Sequence, residues 1–127
     1  MRDLRQTRHA LLIAIGDYAE RSGEGYIVHG RVRDALRRAD GSVATTRQVD
    51  ALFADLTDIA HYQVRQHPDG QLEVFLMPVV AGTDLSASSA LLEPRLRALL
   101  GGAVGIRTGV LIAPEDSGKF RLTVPLA

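Results

Sequence analysis

Two apolar runs joined by a tight turn constrain the fold of this chain more than any other feature. "IAHYQVRQ" (59–66) and "QLEVFLMPVV" (71–80) flank "HPDG", and Asp69-Gly70 within it is typical of a hairpin turn. Strand-forming residues on both sides of such a turn predict two antiparallel strands. The fold must therefore contain a β-sheet.

The N-terminal third predicts further strands. The segment 8–15 is apolar enough for a strand, whereas "GDYAERSGEG" (16–25) predicts a loop because three glycines interrupt it. "YIVHGRV" (26–32) and "ALRRADGSV" (35–43) are expected to pair as two strands, with Asp40-Gly41 as a turn.

Two segments have helical spacing. Thr45 or Thr46 can cap a first helix, whose apolar positions are Val49, Leu52, Phe53 and Leu56. "TDLSAS" (83–88) predicts a loop, and "ALLEPRLRALLGG" (90–102) predicts a second helix that ends at its two glycines. One stripe of this helix is apolar and consists of Leu92, Leu96, Leu99 and Leu100.

The C-terminal part predicts a strand over "GIRTGVLIA" (105–113), a loop over 114–119 and a short extended tail, "FRLTVPLA" (120–127). Together with the preceding elements, this order predicts an α+β fold. We expect a small mixed β-sheet covered by two helices, plus an N-terminal β-hairpin.

Composition excludes several functions. Fifteen acidic residues balance fifteen basic ones, so the chain has no net positive charge that would attract nucleic acid or an anionic membrane. Three Phe, three Tyr and no Trp provide few platforms for stacked bases. The absence of cysteine fits a reducing compartment, and the apolar run 10–15 is too short for a signal peptide or a bilayer span. We therefore expect a cytoplasmic protein with no membrane or nucleic-acid partner.

Common catalytic motifs are also missing. Ala113 and Phe120 stand where a Walker loop requires glycine and a hydroxyl residue, and no G-x-S-x-G elbow occurs. The histidines lie apart without His-x-x-x-His spacing, so we predict no metal site; they are His9, His29, His61 and His67.

Three local patterns remain, in a fixed order: "IGDYA" (15–19), "GYIVHGRVRDALRRADGSV" (25–43) and "APEDSGKFRL" (113–122). Together they resemble the end of the adenylate-forming superfamily of acyl-CoA synthetases, luciferases and nonribosomal-peptide adenylation domains. "IAHYQV" and "SGKFR" are most similar to the phenylacetate-CoA ligase-like branch. The resemblance implies that 1–32 corresponds to the end of a large lobe with its ribose-binding loop, and 33–127 to the C-terminal lid.

The resemblance also implies residue roles at the nucleotide end. Asp17 matches the carboxylate that holds the ribose hydroxyls of ATP, and Arg31 matches an arginine near the ribose and phosphates. Arg33 and Asp34 match the hinge about which the lid rotates. The family has Asp or Lys at the first of these two positions, so Arg33 departs from its pattern.

Lys119 is the only lysine among fifteen basic residues. It matches the lysine that reaches the adenylation site on a glycine loop, here Ser117-Gly118. A compact ammonium can stabilise charge that develops on the phosphates. Gly41 matches the turn past which the pantetheine arm of a thiol travels.

The part of the family that this sequence resembles does not include the large lobe, which carries the phosphate loop and the acyl pocket. We therefore expect a stand-alone component of a split acid-activating ligase in biosynthesis, which shares ATP and magnesium with a separate lobe. Coenzyme A or a phosphopantetheine carrier would be the thiol acceptor. The alternative is a noncatalytic module that docks on a carrier protein or ligase partner. A homodimer through "GVLIA" (109–113) is a further possibility, because a small sheet leaves edges uncovered.

Overall fold

A computed structural model describes residues 17–22, 25–109, 112, 114 and 120–126. The predicted strand at 8–15 lies outside these ranges. The strands are β1 (Asp17–Ser22), β2 (Gly25–Arg31), β3 (Leu36–Arg37), β4 (Val43–Ala44), β5 (Ile59–Gln66), β6 (Leu72–Pro78), β7 (Val104–Thr108) and β8 (Thr123–Pro125). The helices are α1 (Thr46–Asp50) and α2 (Ser86–Leu100), and 3-10 turns span Val32–Asp34 and Ala51–Phe53.

The central sheet is mixed, as predicted. Its described strands lie in the order β7-β6-β5-β8, and the β5–β6 pair is antiparallel. Both edge strands run parallel to their neighbours. The predicted hairpin is confirmed: the His67 N–H donates to the Gln71 carbonyl at 2.9 Å, and Gly70 adopts φ +92° at the turn.

Helix α2 covers one face of this sheet. Its leucines at 92, 96 and 100 are buried, as the predicted stripe requires. They share a core with alternate residues of the hairpin strands, which are Tyr62, Val64, Leu72, Val74 and Leu76. The α+β class is thereby confirmed.

The C-terminus of α2 and the N-terminus of α1 have ordinary caps. Gly101 ends α2 with φ +82°, and Thr45 caps α1 in a reciprocal pair with Gln48.

Three local predictions are wrong. Residues 17–22 form a strand rather than part of a loop, because they pair with β2 and bury Tyr18. Strand β2 pairs with β1 and not with 35–43. Instead, 36–37 and 43–44 pair with each other around the predicted Asp40-Gly41 turn.

Helix α2 begins at Ser86, four residues before the predicted start, so "TDLSAS" is loop only in part. Two carboxylates accept hydrogen bonds from serines of its first turn. Asp84 accepts hydrogen bonds from the backbone N–H and hydroxyl of Ser86, and Asp58 accepts from the Ser88 hydroxyl at 2.8 Å. Within the described residues, neither helix combines the length and apolar character needed to cross a bilayer.

Tyr62 links the sheet to the segment after α1. Its ring stacks on Phe53 with centroids 3.6 Å apart, and its hydroxyl donates to Asp50 Oδ1 at 2.5 Å. Burial is the main cause that raises the pKa of Tyr62 far above its usual value, and the hydrogen bond to the Asp50 carboxylate adds to it. The native state therefore keeps the phenol neutral.

We predict that this phenol makes the folded state sensitive to alkaline pH. Above pH ~10 the unfolded chain releases the phenolic proton and the native state retains it, so stability falls by about 1.4 kcal/mol per pH unit from this group. Urea unfolding at pH 8 and pH 11 should show a larger loss for the wild type than for Tyr62→Phe. Equal losses would show that Tyr62 ionises normally in the native protein.

Candidate functional site

The candidate site centres on the segment that joins the N-terminal hairpin to the rest of the fold. Val32–Asp34 form one 3-10 turn, closed by a hydrogen bond from the Ala35 N–H to the Val32 carbonyl at 3.2 Å. The flanking residues Arg31 and Ala35 are extended, and no residue of the turn is buried. Val32 and Asp34 are partly buried, whereas Arg33 is exposed. The hinge at Arg33 and Asp34 stays a prediction.

The structure brings the two predicted nucleotide residues together. Asp17 begins β1 and Arg31 ends β2, and the two are register partners across the antiparallel pair. Facing residues in such a pair have Cα atoms about 4.5–5.5 Å apart. Sequence reasoning assigned both residues without predicting that they are neighbours.

Close packing fixes this strand end against α1. Gly30 has φ +131°, and a Cβ there would lie 2.9 Å from the Thr46 Cβ. Glycine is therefore required both by the backbone conformation and by the helix terminus it touches. As a result, Arg31 and the following turn leave the hairpin in a defined direction.

Asp34 is the most highly connected residue of the site. Its Oδ1 accepts from Arg121 Nε at 3.0 Å and from Arg121 Nη2 at 2.7 Å, and its backbone carbonyl accepts from the Thr123 hydroxyl at 2.7 Å. The side chains of Asp34 and Arg121 are 15% and 24% exposed. By contrast, Arg33 is 61% exposed, with its Nε 3.5 Å from the same oxygen. The two predicted hinge residues thus differ: three hydrogen bonds from the C-terminal segment hold Asp34, whereas the Arg33 side chain is mostly exposed.

Sequence reasoning gave no role to Arg121 or Thr123. Thr123 is fully buried, and its hydroxyl also lies 2.8 Å from the Thr46 hydroxyl. Because the Thr123 proton goes to the Asp34 carbonyl, Thr46 is the donor in that pair. Gln63 also holds this segment, since its Nε2 donates to the Arg121 carbonyl at 3.0 Å. The available signal was a lone charge in the otherwise apolar tail "FRLTVPLA".

The predicted lysine loop, with Ser117, Gly118 and Lys119, lies outside the described residues. Its flanks are described on both sides. The Ile112 N–H points to Met77 Sδ at 3.4 Å, and the Phe120 ring stacks on His61 with centroids 5.0 Å apart. His61 and Met77 are register partners in the β5–β6 pair. The chain therefore leaves and rejoins the sheet at neighbouring positions.

Gly41 lies at the exposed tip of the β3–β4 hairpin. It has φ +85°, and a Cβ there would meet nothing within 4 Å. Asp40 closes the turn by accepting hydrogen bonds from the Ser42 N–H and hydroxyl. At the base of the hairpin, the buried amide of Gln66 pairs with both the N–H and the carbonyl of Arg37 at 2.8 Å. The tip is thus open while the base is rigidly held.

A cavity of about 220 Å³ lies beside this hairpin. The described site residues are not part of its lining, which consists of Arg37, Arg38, Ala39, Gln66, Pro68, Asp69, Gly70, Leu100, Gly101 and Gly102. No three His, Asp or Glu side chains in the described ranges are grouped to hold a metal ion.

No family model and no curated protein matches the chain, but solved structures do. Fatty acyl-adenylate ligases from E. coli and L. pneumophila match with a TM-score of 0.61 and 14% identity, over 83% of this chain and 20% of theirs. An anthranilate CoA ligase in complex with anthranoyl-AMP matches with a TM-score of 0.62 and 16% identity, over 84% and 22%.

An O-succinylbenzoate coenzyme A synthetase from Bacillus subtilis, in complex with ATP and magnesium, matches with a TM-score of 0.59 and 15% identity, over 84% of this chain and 22% of its own. The chain thus spans about a fifth of the structures it matches. Its fold is that of the C-terminal domain of adenylate-forming enzymes.

Proposed function

We propose that this chain is the C-terminal component of a split acid-activating ligase, which completes an adenylate-forming site in trans with a separate large lobe. One observation carries the proposal. Asp17 and Arg31 are register partners at the strand end that leads directly into the 3-10 turn, within a fold of the adenylate-forming C-terminal type. The proposed nucleotide-binding end and the proposed hinge would thereby be adjacent.

At the nucleotide end, Asp17 would accept two hydrogen bonds from the ribose cis-diol of ATP, since a carboxylate has two acceptor oxygens. Arg31 would donate to ribose or phosphate oxygens through its fixed fork of N–H groups. ATP, with magnesium, is a substrate shared with the large lobe.

Lys119 would supply the positive charge for the adenylation step. When an acyl carboxylate attacks the α-phosphate, negative charge grows on the phosphoryl oxygens and the departing pyrophosphate. A point charge at the end of a long side chain can stabilise that charge as it forms, and Ser117-Gly118 would let the backbone approach.

The thiol step would use the other predicted elements. Rotation about Arg33 and Asp34 would change which face of this domain is presented to the large lobe. The open tip at Gly41 would leave room for the pantetheine arm of coenzyme A or of a carrier protein. On the "YQ" and "SGKFR" motifs, we assign the chain to the phenylacetate-CoA ligase-like branch, and on its lack of cysteine we place it in the cytoplasm.

Reconstitution tests this function. The chain is mixed with its cognate large adenylation lobe, and ATP–pyrophosphate exchange is followed with a panel of carboxylic acids. We predict exchange when both polypeptides are present, and only background with either one alone, because each supplies part of the site.

The noncatalytic alternative gives a different result. A docking module would bind the large lobe or a carrier protein in a pull-down, and Asp17→Ala and Lys119→Ala variants would bind equally well, with no nucleotide-dependent exchange. That combination would replace the ligase proposal. Sedimentation of the chain alone, run in parallel, reports whether it dimerises.

A further inference from the structure

Two segments separated by most of the chain are joined at Asp34. The side chain of Asp34 accepts both hydrogen bonds from Arg121, and its backbone carbonyl accepts a third bond from Thr123. Arg121 is itself held at a second point, because its carbonyl accepts from the buried Gln63. Hydrogen bonds therefore hold the side chain and the backbone carbonyl of both Asp34 and Arg121.

The C-terminal segment is also held along its length. Strand β8 pairs in parallel with β5, the Val64 N–H donates to the Leu122 carbonyl at 2.8 Å, and the Leu126 N–H donates to the Gln66 carbonyl at 2.7 Å. These bonds fix the segment to the sheet. The bonds to Asp34 have a separate effect, since they fix its first residues to the end of the 3-10 turn.

Arg121 is better suited than Arg33 to hold Asp34. Both Arg121 donors lie within 3.0 Å of the carboxylate oxygen, whereas Arg33 Nε lies at 3.5 Å and its side chain is mostly in solvent. A guanidinium that donates through two nitrogens from one planar fork restricts orientation as well as distance. Partial burial of both partners reduces competition from water.

Arg121 is also close to the predicted catalytic lysine along the chain. Lys119 precedes it by two residues, so the two Cα atoms lie within about 7 Å of each other. A displacement of the end of the 3-10 turn would therefore act on Arg121 through Asp34.

We propose that Arg121 is a positioning residue that locks the segment following Lys119 to the hinge segment, so that the lysine-bearing chain and the hinge move as one unit. Thr123 provides the backbone half of this lock. The catalytic consequence rests on the proposed function; the lock itself is a property of this chain alone.

Hydrogen exchange on the isolated chain tests the lock directly. We expect Arg121→Ala to speed amide exchange across 120–126 about tenfold or more, because loss of two charge-assisted hydrogen bonds favours local opening. Exchange of the amides that pair β5 with β6 should stay unchanged. Arg95→Ala is the matched control, since Arg95 makes a comparable two-nitrogen contact with Asp55 at 2.7 and 3.0 Å elsewhere on the surface. Wild-type exchange rates in Arg121→Ala would overturn the proposal.

A charge swap separates pairing from a general loss of packing. The double variant Asp34→Arg/Arg121→Asp should exchange more slowly across 120–126 than Arg121→Ala, because it restores an opposite-charge pair between the same segments. A double variant as fast as the single one would also overturn the lock.

The reconstituted ligase tests the catalytic consequence. Arg121→Ala should lower kcat for pyrophosphate exchange about tenfold with little change in the KM for ATP, because misplacement of a reacting group affects the chemical step more than binding. If the wild type itself gives no exchange, the proposed function fails, and the hydrogen-exchange result still decides whether the lock exists.

Discussion

Lys119→Ala is expected to lower ATP–pyrophosphate exchange by the reconstituted ligase about 10²–10³-fold, the loss that follows removal of a single transition-state donor. The charge matters most when the pyrophosphate departs, so kcat should fall more than the KM for ATP rises. Lys119→Arg should recover little of the rate, because a planar guanidinium places its charge differently from an ammonium. The measurement is isotope exchange into ATP at saturating acid.

A surface arginine provides a control for this experiment, and the single lysine allows an independent check by chemical modification. Arg97→Ala removes a surface cation paired with Glu93 on α2 and should leave exchange unchanged. Because Lys119 is the only lysine, amine-directed modification reaches no other side chain. ATP together with the large lobe should protect Lys119 from the reagent. Full exchange activity in Lys119→Ala would show that another group stabilises the phosphates.

Local signals predicted the elements that local chemistry determines. The "HPDG" turn specifies its hairpin because Gly70 adopts the positive φ that the turn requires. Thr45 marks the start of α1 through a capping box within four residues, and Gly101 marks the end of α2. Each of these features is encoded by neighbouring residues, so no tertiary information was needed.

Elements that depend on distant partners were missed. Three glycines favour a loop at 16–25, yet pairing with β2 outweighs that preference. The serines in the first turn of α2 favour a loop by propensity, but Asp58, thirty residues away, accepts the Ser88 hydroxyl. Sequence patterns cannot choose among possible strand partners, and so they gave β2 the wrong one.

In the candidate site, too, the sequence predicted individual residues but not the long-range contacts between them. Arg31, Asp34 and Gly41 were identified from motifs, and the structure places them at a strand end, at the end of a 3-10 turn and at a hairpin tip. The contacts that connect the site were not predictable. The Asp34–Arg121 pair spans 87 residues, and nothing in the apolar tail indicates which carboxylate its arginine would meet.

Gly102→Ala should destabilise the fold by about 3 kcal/mol, at the upper end of the range for overpacked sites. A Cβ at this position would lie 2.1 Å from the Gly70 carbonyl oxygen and 3.0 Å from its carbonyl carbon. Both are backbone atoms of the β5–β6 turn, and they cannot rotate aside as a flexible side chain could. Either the connection between α2 and β7 or the turn must therefore move, and each is anchored to the core.

Urea unfolding measures this cost as a lower midpoint with an unchanged m-value. Gly105→Ala is the matched control, because a Cβ there would lie 3.8 Å from the Leu72 carbonyl, an ordinary contact, and alanine is preferred to glycine within a strand. It should shift stability by less than about 1 kcal/mol. A wild-type midpoint for Gly102→Ala would mean that the α2–β7 connection can withdraw from the turn. The close packing beside the cavity would then be adjustable rather than a fixed part of the fold.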